Sequence, residues 1–244
     1  MRTIKKVASH IFIDGFGGMT QGLFATLIIG TMIQQIGLLI GGSTGNVIYL
    51  LGKAAAALTS AGIGVGVAVK YGESPLVTVS AAVAAMVGGY AGKITGGTFF
   101  VDGNAVLAGP GEPLGAFIAA FAGITCGHLV SGKTKVDIIV TPVITIGAGS
   151  VVGLLVGPPI SQMMTGLGSI INWATEQRPF IMGIVVSVVM GMVLTLPISS
   201  AALGIILNLS GLAAGAATIG CCCNMVGFAV ASCLLYTSPS PRDG

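Results

Sequence analysis

Charge is scarce in this chain. Only 7% of its 244 residues are Asp, Glu, Lys or Arg, and aromatic residues make up 6%, with a single Trp. A soluble domain of this length carries roughly a quarter charged residues, so the composition excludes an ordinary water-soluble protein. Intrinsic disorder is excluded as well, because disordered chains are rich in charge and poor in apolar residues. The few cations form no basic patch, which argues against nucleic acid as a partner.

Apolar and small residues fill the place of the missing charge. Hydrophobic residues make up 54% of the chain, 40 residues are Gly, and the mean hydropathy is +1.00. The glycines follow no three-residue period, which excludes a collagen-like chain. Small residues let helices approach closely in a bilayer, where lipid supplies no hydrophobic drive between them. The composition therefore predicts an all-α integral membrane protein, a polytopic helix bundle.

Apolar runs of about 20 residues predict six or seven membrane-spanning helices. No small-residue cleavage site follows the first run, so we interpret it as a span and not as a signal peptide. The predicted spans cover about Met19 to Ile40, Val47 to Val69, Leu76 to Ala91, Pro113 to Val130, Val136 to Val156, Phe180 to Leu207 and Gly211 to Ser232.

The distribution of Lys and Arg predicts the orientation, because these residues are retained on the cytoplasmic side. A cytoplasmic N-terminus places six cations inside, namely Arg2, Lys5, Lys6, Lys70, Lys133 and Lys135, and leaves Lys93 and Arg178 outside. Two long connections, Gly92 to Glu112 and Gly157 to Pro179, then lie on the outer side. Their mixture of Gly, polar and apolar residues predicts re-entrant segments, since irregular backbone at membrane depth must line a cavity.

The first of these connections holds the most informative polar residues. Asp102, Asn104 and Glu112 stand among glycines and prolines where a predicted span begins at Pro113. Carboxylates and amides bond several hydroxyls at once, and a helix N-terminus there would direct its N–H groups to the same place, which suits sugar binding. The alternative is a solvated loop in which Glu112 caps the helix.

Three further residues are candidates for a substrate site. His128 lies within the fourth predicted span, where it could bond a substrate hydroxyl, take part in proton movement or simply bond a backbone carbonyl. Asn172 and Glu176 flank Trp173 and could line a sugar site, while the Trp is more typical of an interface anchor. No carboxylate stands at ligand spacing from His128, so we expect no metal, and no other cofactor is indicated.

The turn from Gly132 to Pro142 contains Gly-Lys-Thr and formally matches a phosphate-binding loop together with Gly127. Such a loop must follow a soluble strand, whereas a membrane span precedes this one, so we interpret the match as accidental. Lys133 and Lys135 instead anchor the topology, and Asp137 is predicted to cap the fifth span.

The end of the chain breaks into a polar, Pro-rich sequence. From about Cys233 it resembles translated sequencing adapter, which predicts a transmembrane domain over residues 1–232 that is incomplete and a foreign tail over residues 233–244.

Four segments, Gly22–Thr31, Gly111–Ala116, Gly132–Pro142 and Thr195–Ala202, resemble one family. It is the bacterial phosphotransferase-system (PTS) enzyme IIC-like membrane proteins, in the branch sometimes labelled toxin regulators. The resemblance implies a sugar permease of the plasma membrane that works with IIB and IIA proteins and could form a homodimer. It also implies the membrane subunit of a sugar phosphotransferase, although no phosphoryl-carrying domain is visible. Glucose-type permeases have Gly-Ile-Thr-Glu at the substrate loop, whereas Cys126 follows Thr125 here, so that Glu is not carried over.

Two alternatives to the sugar permease remain open from the sequence. One is an ion-coupled secondary transporter in which Glu112, Asp102 or His128 carries a proton. The other is a membrane-bound regulator that senses a ligand without moving it.

Overall fold

The computed structural model describes residues 14–101, 104–105, 107, 109–133, 136–193, 209 and 211–236. The chain divides into two compact units, Met1–Met163 and Met164–Gly244, and each is described by itself. The first unit contains α1 (Phe16–Leu23), a π-helical turn (Phe24–Ile28), α2 (Ile29–Ile40), α3 (Gly42–Ala57), α4 (Thr59–Lys70), α5 (Pro75–Gly89), α6 (Ala91–Thr95), β1 (Phe100–Val101), β2 (Asn104–Ala105) and α7 (Pro113–Val130). Helix α8 (Asp137–Gln177) runs from the first unit into the second, which also contains α9 (Pro179–Val193) and α10 (Gly211–Tyr236).

The predicted all-α polytopic membrane fold is confirmed. Within the described residues, four helical segments are long and apolar enough to cross a membrane: Phe16–Ile40, Pro113–Val130, Asp137–Met163 and Gly211–Val230. The bent pair α3 and α4 makes a fifth if it is counted as one span. Two shorter apolar helices, Pro75–Gly89 and Pro179–Met192, lie where the third and sixth spans were predicted.

The second predicted span consists of two helices, because it breaks at Leu58, where α3 and α4 meet with a bend of 52°. One sequence prediction about these segments is wrong. The connection from Gly157 to Pro179 is not an irregular loop, because α8 continues through it to Gln177.

Helix α8 continues because its glycine face is packed against the bundle. Gly149, Gly153 and Gly157 recur every four residues, so they share one face. A Cβ at Gly153 would lie 2.8 Å from the Gly88 Cα, and one at Gly157 would lie 2.6 Å from the Ala91 Cβ. This contact carries the helix past the pair Pro158 and Pro159, which remove two backbone donors without breaking it.

Glycine contacts also build the rest of the first unit. Helix α1 packs antiparallel to α4, with Gly18 against Gly66 and Gly22 against Gly62. The same close approach recurs between α4 and α5 at Gly64, and between α5 and α7 at Gly88 and Gly115. The helices therefore meet backbone to backbone, as small residues allow in a bilayer.

Helices α2 and α3 form an antiparallel hairpin. It turns at Gly41 and Gly42, which both have positive φ. Gly30 packs near Ala56, and Gly37 packs near Gly45 and Tyr49. The π-helical turn before α2 packs against both α3 and α4. Each helix of the hairpin therefore has an irregular turn at the end away from Gly41 and Gly42: the π-helical turn before α2 and the break at Leu58 after α3.

The second unit is held by the pairing of α9 with α10. Val186 and Met190 pack against Ala217, and Gly220 meets the backbone of Ser187. An open groove of about 490 Å³ runs between these two helices.

Candidate functional site

The segment from Gly109 to Glu112 is fixed against the ends of two helices. Ser60 donates its hydroxyl proton to the Pro110 carbonyl at 3.0 Å, and the Glu112 N–H donates to the Gly89 carbonyl at 2.6 Å. The Tyr90 hydroxyl lies between the carbonyls of Gly109 and Ala57. Ser60 and Tyr90 are fully buried. These bonds connect the segment to the helix break at Leu58 and to the end of α5.

Gly111 is required by this geometry. Its φ is +74°, and a Cβ there would lie 2.5 Å from the Ser60 Oγ and 3.1 Å from the Gly89 carbonyl oxygen. Only glycine adopts this backbone conformation without cost and also leaves room for the serine. The sequence Gly111-Glu112-Pro113 therefore presses the chain onto α4 and then begins α7, with Pro113 in the first turn.

The Glu112 carboxyl group is the unusual feature of the segment. Its Oε1 atom is buried and has no hydrogen-bond partner among the described residues. The side chain makes no capping bond to α7, so the structure does not support the side-chain cap suggested as an alternative. Burial raises the pKa of Glu112 to about 7. Near neutral pH this carboxyl group can therefore either accept a hydrogen bond from a sugar hydroxyl or donate one to it.

Tyr90 also borders a cation and a second aromatic ring. The Lys93 ammonium lies 5.3 Å from the centre of the Tyr90 ring, and the Phe99 ring lies 5.4 Å from it. An aromatic and cationic cluster thus borders the Glu112 segment.

The other predicted residues of this connection are placed only in part. Asp102 lies outside the described residues. The backbone of Asn104 belongs to β2 and pairs with Val101 in a two-stranded hairpin. The structure therefore adds no side-chain contact for either residue.

His128 does not join Glu112. The two residues lie at opposite ends of α7, separated by about 24 Å of helix. The His128 Nδ1 lies 2.9 Å from the Glu73 Oε1, while 71% of the histidine side chain stays exposed. The Ser74 and Ser131 hydroxyls, 3.3 Å apart, form a second link between the same two turns.

Asp137 stands in the first turn of α8, and its side chain closes the turn after α7. Its carboxylate accepts hydrogen bonds from the Gly132 N–H at 2.9 Å and from the Thr141 hydroxyl at 2.6 Å. The preceding segment is helix α7, which does not fit a phosphate-binding loop.

Asn172 and Glu176 lie one turn apart on α8 in the second unit. Glu176 is exposed, Asn172 is half-buried, and Trp173 is 64% exposed. They belong to a regular helix and not to the predicted outer loop. The groove of the second unit is lined by apolar residues, glycines and a single hydroxyl, that of Ser187, so it offers few groups to a sugar.

Ser60 and Tyr90 were not predicted as site residues. Ser60 follows Thr59 between two runs of small apolar residues, and Tyr90 follows Gly88-Gly89. A hydroxyl close to glycines is the signal that could have marked them, because it can bond a backbone that approaches closely.

A family model described as "Phosphotransferase system, EIIC" matches residues 13–236. The match covers most of the chain and includes both units. No curated protein and no solved structure matches the chain.

Proposed function

Because this chain belongs to the phosphotransferase-system EIIC family, we propose that it carries a sugar across the bacterial plasma membrane while a separate IIB domain phosphorylates that sugar. Membership makes the chain a membrane permease component whose partners are a sugar and the IIB and IIA proteins. The phosphoryl carrier belongs to those partners, and the role of this chain is to bind and release the sugar.

One observation supports Glu112 as part of the sugar site, namely its buried Oε1 atom. A buried polar atom without a partner costs roughly 1–3 kcal/mol, so such atoms are rare unless a ligand satisfies them. A sugar hydroxyl is a suitable partner. The remaining predicted residues, Asp102, Asn104, His128, Asn172 and Glu176, stay predictions.

The arrangement of charges supports a cytoplasmic N-terminus. The start of α1 lies near Lys70 and Tyr71, since Gly15 contacts Tyr71 and Gly17 contacts Lys70. Lys70 and the turn at Lys133 share one end of the first unit, where Glu73 meets His128. Lys93 lies after α5, at the opposite end. The positive-inside rule places the end with more cations in the cytoplasm.

A second candidate is transport coupled to protons. The pKa of about 7 at Glu112 favours it, because a carboxyl group that titrates near neutrality can take up and release a proton. Proteoliposomes separate the two mechanisms: uptake that needs phosphorylated IIB supports group translocation, and uptake driven by a pH gradient alone supports proton coupling.

Uptake by a Glu112→Gln variant tests the site. The change is nearly isosteric and should leave insertion intact, but it removes a charged acceptor that contributes about 1.5–3 kcal/mol. We expect the affinity for the transported sugar to fall roughly tenfold to a hundredfold. The measurement is concentration-dependent uptake of radiolabelled hexoses, hexitols and disaccharides into vesicles that contain IIB and IIA.

Thr125→Val is the matched control, because Thr125 is exposed on the same helix and bonds only within it, to the Phe121 carbonyl. Its affinity should equal that of the wild type. If Glu112→Gln transports with the wild-type affinity at matched membrane abundance, Glu112 is not in the sugar site.

A further inference from the structure

The α2–α3 hairpin has two chemically different sides. Gly30 and Gln34 of α2 contact Gly52 of α3, and Gly37 contacts Gly45, so these positions mark the seam between the helices. A residue one position after a seam residue is rotated by about 100° around its helix. In an antiparallel pair of helices, the residues that come directly after the seam residues therefore lie on the same side of the hairpin in both helices.

The side that follows the seam is polar. It carries Thr31, Gln35, Asn46 and Lys53, and all four are exposed. The side that precedes the seam carries Ile29, Ile36 and Leu51, which are 37%, 51% and 61% exposed. Three residues depart from this division: Leu38 and Thr44 near the tip of the hairpin, and Leu50, 52% exposed, between Asn46 and Lys53. We name the Thr31, Gln35, Asn46 and Lys53 side the polar face.

Lipid cannot cover the polar face without cost, because hydrocarbon offers no partners to a hydroxyl, two amides and an ammonium. The described residues include no ion pair for Lys53. The apolar side, in contrast, suits contact with lipid tails. The polar face therefore requires water, protein or a polar solute against it.

The polar face runs directly to the Glu112 segment. Lys53 lies four residues before Ala57, about 6 Å along the helix and on the same side. The Ala57 carbonyl accepts from the Tyr90 hydroxyl, which also holds the Gly109 carbonyl. The Tyr90 side chain thus connects the end of α3 near Lys53 to the segment that carries Glu112.

We infer that the polar face is the second wall of the sugar site, with Lys53 as a substrate-binding residue. The inference rests on the proposed function, and its occupant is a polyhydroxylated sugar. Lys53 supplies three donors and the amides of Gln35 and Asn46 supply donors and acceptors, so the face complements the hydroxyls of a sugar. A two-fold contact between copies whose axis passed beside Lys53 would instead bring the two Lys53 ammonium groups together, which repel.

Thiol labelling in proteoliposomes tests the exposure of the face. The five cysteines of the chain, Cys126, Cys221, Cys222, Cys223 and Cys233, are first replaced by Ala. Single cysteines are then placed at Gln35 and Lys53 on the polar face, and at Ile36 and Leu51 on the apolar side. A membrane-impermeant maleimide should react roughly tenfold or more faster at Gln35→Cys and Lys53→Cys than at Ile36→Cys and Leu51→Cys. The reason is that a thiolate forms only where water reaches it.

Uptake of the radiolabelled sugar panel in the presence of IIB and IIA tests binding. Lys53→Met keeps the length of the side chain but removes its donors, so the affinity for the transported sugar should fall roughly tenfold to a hundredfold. The matched control Leu51→Met, on the apolar side, should keep the wild-type affinity. The transported sugar should also slow labelling at Lys53→Cys and not at Leu51→Cys.

Each other outcome overturns the inference. Equal, slow labelling at all four positions means that lipid or protein covers the polar face, and a disulfide between two Lys53→Cys copies would identify a second copy there. Fast labelling without any loss of affinity in Lys53→Met means that the face lies in water outside the sugar site. If Glu112→Gln lowers the affinity and Lys53→Met does not, the proposed function stands and this inference fails. If the full-length protein from the natural gene takes up no sugar, the proposed function itself fails.

Discussion

Replacement of Gly111 by Ala should destabilise the first unit through two separable effects. The backbone at φ +74° disfavours any side chain by roughly 1–2 kcal/mol. The new Cβ would also lie 2.5 Å from the Ser60 Oγ, and overpacking of this kind costs about 1–3 kcal/mol. We therefore expect Gly111→Ala to lower the free energy of unfolding by about 2–5 kcal/mol.

Removal of the serine hydroxyl should relieve only the second effect. Ser60→Ala by itself loses the bond to the Pro110 carbonyl, at a cost of about 0.5–1.5 kcal/mol. In the double variant the nearest atoms to the new Cβ become the Gly89 oxygen at 3.1 Å and the Tyr90 Cε2 at 3.2 Å, so the clash largely disappears. The double variant should therefore be more stable, by about 1–3 kcal/mol, than the sum of the two single effects on the free energy of unfolding predicts.

Unfolding of the purified protein in mixed micelles, titrated with a denaturing detergent, measures all four members of this cycle. Gly72→Ala is the control for backbone strain alone, because its φ is +70° and nothing lies within 4 Å of its added Cβ. Additive effects of Ser60→Ala and Gly111→Ala would refute the close contact. A cost at Gly111 no greater than at Gly72 would refute the geometry of the whole segment.

Two further predictions concern charge. Because burial raises the pKa of Glu112 above its unfolded value of 4.5 to about 7, its stabilising contribution is complete below pH 4.5 and is lost as the pH rises through 7. In thermal melts, the melting temperature of the wild type minus that of Glu112→Gln should therefore decrease as the pH is raised from about 5 to 8. A difference that does not change with pH would argue against burial of this carboxyl group. A cysteine placed at the exposed Lys133, in a background without other cysteines, should react with an impermeant thiol reagent in inverted vesicles and not in intact cells; labelling in intact cells would reverse the topology.

The sequence predicts well the features that depend on composition and on one-dimensional runs. Apolar length located the spans, and the pattern Gly111-Glu112-Pro113 located the start of α7 at Pro113. Asp137 was predicted at the start of the fifth span and stands in the first turn of α8, where its carboxylate finds nearby donors in its own segment. Family membership also followed from short motifs.

The features that depend on contacts between distant segments were not predicted. The fifth span was predicted to end at Val156, but packing of Gly149, Gly153 and Gly157 on other helices continues the helix past Pro158 and Pro159. The break at Leu58 has no proline to mark it, and it becomes intelligible only with the π-helical turn beside it. Ser60 and Tyr90 acquire their roles because the chain returns to them some 50 and 19 residues later.

The links between Glu73 and His128 and between Ser74 and Ser131 also bear on how the first unit can deform. They fasten α5 to α7 at one end. At the other end, contact of Gly88 with Gly115 and the bond from the Glu112 N–H hold these helices together, and the Ser60 and Tyr90 hydroxyls hold the segment before α7. The Glu112 end of α7 lies about 24 Å from His128. A tilt of about 10° with its pivot at His128 would displace that end by roughly 4 Å, and it would strain or break the bonds that Ser60 and Tyr90 make to the segment.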